Sequence, residues 1–112
     1  MVAGMILKQI AARARFRAEK MTKTSLAAGP HLYAGLNSFE PGQEHQAHVH
    51  ANQDKMYVVL EGEAAAMVGG EEQTVGAGDL ILAPAGVVHS LRNPGPGRLV
   101  VLVVFGPPPA KG

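Results

Sequence analysis

Short apolar runs broken by glycine and proline set the pattern of this chain. Leu32 to Leu36 leads to Glu40-Pro41-Gly42, Met56 to Leu60 to Gly62, and Ala64 to Val68 to Gly69-Gly70. Further on, Asp79 to Ala83 meets Pro84, Val87 to Leu91 meets Asn93-Pro94-Gly95, and Leu99 to Phe105 meets Gly106 and three prolines. Runs of this length with turn formers at both ends are how strands joined by tight turns look in sequence. The pattern therefore predicts an all-β domain.

Only Ile6 to Lys20 reads differently. Its Ala and Arg favour a helix, while its apolar spacing fits a short helix and an edge strand about equally. Residues 1–30 are thus expected to form an N-terminal segment, edge strand or short helix, lying on a barrel of residues 31–106, with 107–112 as a loose Pro-rich tail.

With 112 residues, the chain has room for one core. A formal net charge of +1 provides no strong field for nucleic acid or a membrane surface, which leaves a small molecule, an ion or a second copy as partner. The basic residues Arg13, Arg15, Arg17, Lys20 and Lys23 read as a solvated strand face. No apolar run approaches the roughly 20 residues of a membrane-spanning helix, so a cytoplasmic protein is expected. Open sheet edges predict a homodimer. Cysteine is absent, so no thiolate can bind metal or act as a nucleophile, and the chemistry falls to histidine.

Three of the five histidines lie in Gly42-Gln43-Glu44-His45-Gln46-Ala47-His48-Val49-His50. Residues two apart on a strand share a face, so His48 and His50 can aim two imidazoles at one point, as a metal with nitrogen ligands requires. His45 is odd in that register and is expected to face away. A third ligand has to come from His31 or His89. His89, at the start of an apolar strand after a Pro-x-Gly turn, has the better context, and His31 reads as a surface residue.

At these residues the chain resembles the cupin superfamily. Gly42, His48, His50 and Gly62 match the first motif of that family, and Gly78, Pro84, Gly86, His89 and Asn93 match the second. Agreement at so many fixed positions is far more specific than His-x-His alone. The resemblance implies an antiparallel jelly-roll β-barrel with a metal near its mouth. It also implies a divalent ion, one of Fe, Ni, Zn, Cu or Mn, held by His48, His50 and His89.

One position departs from the motif: counting back from Gly62, Lys55 stands where the family places a Glu ligand. An ammonium cannot ligate a metal and repels one. Three readings remain open: a three-His site completed by water, a fourth ligand recruited from Gln53 or Asp54, or a pocket without metal. Losing the carboxylate favours ions that accept imidazole over harder ions such as Mg. Lys55 itself reads as a rim side chain holding its charge in water beside Asp54 or Glu61. If partly desolvated, it becomes a base or the partner of an anionic substrate. Tyr57 shares its parity and is expected to line the same cavity as a wall residue or hydrogen-bond donor.

Within the family, three-His sites resemble those of small dioxygenases acting on thiols or diketones. The function implied is a small metalloenzyme of dioxygenase type with Tyr57 and Lys55 at the pocket wall. The rivals are a non-catalytic ligand-binding or sensor cupin and a metal-free isomerase or epimerase.

Overall fold

The computed structural model describes residues 4–108. Nine strands follow one another: β1 (Thr22–Ala28), β2 (Tyr33–Phe39), β3 (Glu44–His48), β4 (Asp54–Glu61), β5 (Glu63–Val68), β6 (Glu71–Gly76), β7 (Leu80–Ala83), β8 (His89–Arg92) and β9 (Leu99–Gly106). Ahead of them, a single 3-10 turn at Ile10–Arg13 is the one helical piece among the described residues. None of the described helices is long and apolar enough to cross a membrane.

The strands form a five-stranded sheet, β1-β2-β9-β4-β7, and a four-stranded sheet, β3-β8-β5-β6. All pairings are antiparallel. This is the jelly-roll architecture that the punctuated pattern predicts. The pleat explains why β4 reads as one apolar run: Lys55, Tyr57 and Val59 are buried, while Met56, Val58 and Leu60 alternate on the other face, half-buried. Across the large sheet, register aligns Gly35, Val103, Tyr57 and Ile81 in one row on the inner face. Phe39, Tyr57, Val59, Leu91, Leu99 and Val101 form the centre of the core between the sheets. Burying a side chain of this size contributes about 1.5–3 kcal/mol.

Two residues of the motif fix corners. Gly62, between β4 and β5, has φ +84°, and a Cβ there would overlap the Arg98 carbonyl oxygen. Asn93, 1% exposed, ties three segments together. Its Nδ2 donates to the carbonyls of Phe39 and Gly97 at 3.0 and 2.9 Å, and its Oδ1 accepts from the Gly95 N–H at 2.9 Å.

The large sheet begins with β1 at Thr22, an edge strand inside the N-terminal segment of residues 1–30, which pairs only with β2 and so needs little apolar character. Strand β6 has no apolar signature, since Glu71 to Thr74 lie exposed on an edge paired only with β5. Of the basic residues expected on a strand face, only Lys23 lies in a strand; Arg13 sits in the 3-10 turn, and Arg15, Arg17 and Lys20 lie in the exposed chain before β1. Most of the expected tail falls on residues 109–112, outside the described residues.

Candidate metal centre

The site begins with an irregularity in β3. Against β8, the register runs Glu44 to Arg92, His45 to Leu91 and His48 to His89, so three steps on β3 match two on β8. The extra residue is a β-bulge, and it reverses the parity of everything before it. His45 therefore turns to the same side as His48, with ring centroids 4.4 Å apart, instead of facing away. The sequence carries no signal for a bulge at Gln46-Ala47, and strict alternation misplaces this histidine.

The His48 ring stands 4.8 Å from that of His50 and 4.2 Å from that of His89, both edge-on, and the His50 and His89 rings are 6.0 Å apart. One ligand nitrogen from each of the three lies within 4.8 Å of the others. The hydrogen bonds decide the tautomers. His48 Nδ1 lies 2.9 Å from the Gln46 carbonyl, and His89 Nδ1 lies 2.9 Å from the Val87 carbonyl. A carbonyl only accepts, so each Nδ1 carries the proton and each Nε2 is left as a bare lone pair. Both Nε2 atoms are buried with no hydrogen-bond partner. Backbone carbonyls that orient imidazoles and leave the opposite nitrogens free are the support that metal-ligating histidines have.

Electrostatics act in the same direction. Burial is the main cause that holds His48, His50 and His89 below the ordinary imidazole value, outweighing the Gln46 and Val87 carbonyls, which raise His48 and His89, and so favours the neutral form of all three. Burial also pushes His45 down to about 3, with His48, Lys23 and Lys55 adding to the shift.

Lys55 lies inside. Its odd position in β4 turns it inward; it is 7% exposed, and its Nζ lies 3.4 Å from His50 Nε2. The ammonium stands 5.2 Å from the centre of the Phe105 ring. The ion pairs among the described residues are Arg17–Glu19 and Arg98–Glu40, so Asp54 and Glu61 do not hold Lys55 at the rim as expected. Burial, then Lys23, pushes its pKa down to about 8.

Of the two expected fourth ligands, Asp54 lies outside the histidine group. The pleat turns Asp54 away from Lys55, and its Oδ1 accepts from the Ala85 N–H at 2.9 Å. Gln53 reaches the cavity wall, but its Nε2 donates to the Pro107 carbonyl at 2.7 Å. His31 is exposed and outside the group.

Tyr57 is displaced too. It is 1% exposed, belongs to the core and does not line the cavity; its ring lies 5.9 Å from that of His89, beneath the site. Its hydroxyl is buried without a protein partner, and burial pushes the phenol well above its ordinary value. A buried, unpaired hydroxyl costs about 1–3 kcal/mol. Tyr57→Phe is therefore expected to leave the thermal midpoint unchanged or raise it by a few degrees, and to leave metal content unaltered. A lower midpoint would show that the hydroxyl has a stabilising partner.

His48 and His50 line a cavity of about 550 Å³, with His89 behind its wall. His45, Lys55, Lys23 and Asn37 supply its polar wall, and Tyr33 and Phe105, stacked with centroids 4.6 Å apart, supply an apolar one. His89, 2% exposed, lies at the inner end of the histidine group.

Comparison with known proteins agrees with this architecture. The model of the family described as "Cupin domain" matches residues 35–105. An uncharacterized protein of Streptomyces coelicolor is 39% identical over 77 residues, 69% of this chain and 71% of that one. A crystal structure from Thermus thermophilus superposes with a TM-score of 0.89 at 37% identity, covering 94% of this chain and 100% of the other. An uncharacterized conserved protein with a double-stranded β-helix domain from Klebsiella pneumoniae gives 0.84 at 25% identity, covering 93% and 91%.

Proposed function

The chain belongs to the cupin domain family, and we propose that it is a metalloenzyme of dioxygenase type, with a divalent ion held by His48, His50 and His89 and a small-molecule substrate in the cavity that His48 and His50 line. The observation that carries this reading is the pair of buried Nε2 lone pairs on His48 and His89, each oriented by a backbone carbonyl and neither with a partner. Neutral imidazoles suit Fe, Ni, Cu or Zn better than Mg, with Mn between them. When bound, such an ion supplies Lewis acidity and, where it is redox-active, one-electron chemistry.

The chain's own residues do the rest. Val103 and Phe105 supply apolar wall to the cavity, while Asn37 and the neutral His45 offer hydrogen bonds to a bound molecule. Oxygen uptake tests the reading: protein loaded anaerobically with Fe(II) is mixed with small thiols and β-diketones in an oxygen electrode. Substrate-dependent uptake that disappears in His48→Ala and on chelation is expected. No uptake above free Fe(II), with iron shown to be bound, would refute catalysis of this type.

One observation favours a second reading. The Lys55 ammonium beside His50 opposes a cation, which suits a binding or sensor barrel without catalysis. The isomerase reading loses support, because the Tyr57 hydroxyl it needs lies in the core and not in the cavity.

Self-association belongs to the same proposal. On the outer face of the large sheet, Val58 lies between Leu102 and Leu80, and Met56 between Val104 and Leu82. Leu80 and Leu82 are 58% and 56% exposed on the edge strand β7, and this row of apolar side chains supports the reading of the face as a self-association surface. A homodimer that buries this face is expected to shift towards monomer in Leu82→Lys by about tenfold or more in sedimentation equilibrium. A monomeric wild type at tens of micromolar would contradict it.

A further inference from the structure

The cavity wall has an unusual charge content. Lys55 and Lys23 both line it, Lys55 is almost wholly buried, and no aspartate or glutamate is among the lining residues. A lysine is seldom buried this deeply without a carboxylate partner, because an unpaired ammonium out of water is costly. Here none of the ion pairs among the described residues involves Lys55; its nearest partners are His50 Nε2, at 3.4 Å, and the faces of Phe105 and Tyr57. Among the described residues no carboxylate supplies the counter-charge, and Lys55 faces the cavity.

We infer that this site takes an anionic small molecule, a carboxylate with a planar apolar body, whose carboxylate pairs with Lys55 while its body lies along Phe105 and Tyr33. The geometry provides for both halves. Lys55 lies close to both His50 and the Phe105 ring, so one ligand can touch imidazole, ammonium and ring together. Tyr33 and Phe105, stacked at an interplanar angle of 28°, present ring edges and an outer ring face as an apolar wall. Lys23, at the wall of the same cavity, adds a second positive charge towards solvent and steers anions inward. The lysine at the motif's glutamate position thereby reverses the usual arrangement: the acidic group enters with the ligand instead of being built into the barrel. This inference names the ligand class for the site described above; its ligand arm rests on that reading, but the pairing with Lys55 does not need a metal.

The test uses benzoate and its neutral isostere benzamide on the full chain, metal-free and zinc-loaded, with affinities from 1H–15N chemical-shift titration. Benzoate is expected to bind at least about tenfold more tightly than benzamide to the metal-free protein, as one desolvated charge pair provides. Lys55→Met is expected to remove that preference and leave benzamide unchanged. If Lys55→Met does not fold, the comparison of the two ligands on the wild type decides alone. Equal affinities, no saturable binding of benzoate up to millimolar concentration, or an unchanged preference in a folded Lys55→Met would overturn the inference. A zinc titration of the same samples separates the two readings. Zinc binding without anion preference sinks only this inference, and anion preference without zinc binding sinks only the metalloenzyme.

Discussion

Lys55→Glu should bind Zn(II) or Co(II) at least about 100-fold more tightly than the wild type in chelator competition. The change replaces an ammonium 3.4 Å from His50 Nε2 by a carboxylate on the same inward-facing position. Each unit of charge about 4 Å from an ion is worth about 1 kcal/mol in water and about 4 kcal/mol at the effective dielectric of a protein surface, and here two units change beside a dication. A carboxylate also offers a fourth ligand beside the three imidazoles. The same variant should lose its preference for benzoate, so metal and anion affinities move in opposite directions. An unchanged metal affinity in a folded Lys55→Glu would mean that the ammonium does not face the ion.

The largest expected effect on stability is at Asn93. Asn93→Ala removes three hydrogen bonds at once and leaves the carbonyls of Phe39 and Gly97 and the N–H of Gly95 without their partner. At about 1 kcal/mol for each bond, and more for a group stranded out of water, the loss is about 3–5 kcal/mol in urea unfolding. Asn93→Asp keeps the acceptor for Gly95 but sets a carboxylate oxygen against the Phe39 and Gly97 carbonyls in a buried site, so it should lose at least as much as alanine at neutral pH. A loss below about 1 kcal/mol in Asn93→Ala would show that water replaces the side chain without cost.

What the sequence revealed, and what it hid, follows from how each feature is encoded. Strands β4, β5 and β9 are legible because apolar residues cover both of their faces or run unbroken to a glycine. Strands β1 and β6 are not, since an edge strand satisfies only one neighbour and tolerates Lys23, Thr24, Glu71 and Glu72. The triad was readable from two motifs, whereas His45 was misplaced because one extra residue in β3 inverts the alternation on which the reading rests. Lys55 shows the same limit in another form. Its inward parity was readable from the strand period, but the absence of an acid in reach depends on Asp54 turning to the Ala85 N–H, a contact 31 residues away in sequence. Tyr57 had the right parity and the wrong depth, for alternation tells which face a residue takes and not how far down the barrel it sits.

The most direct test of the central claim is a Co(II) titration of metal-free protein followed by its visible absorption, in the wild type beside His48→Ala and His89→Ala. The account predicts saturation at one ion per chain, bands of a nitrogen-rich site, and affinity lowered by at least about 100-fold in either variant, as loss of a direct ligand exceeds the 10–100-fold cost of losing its support. Wild type that shows no saturable binding, or variants that bind as the wild type does, would contradict a metal centre at His48, His50 and His89.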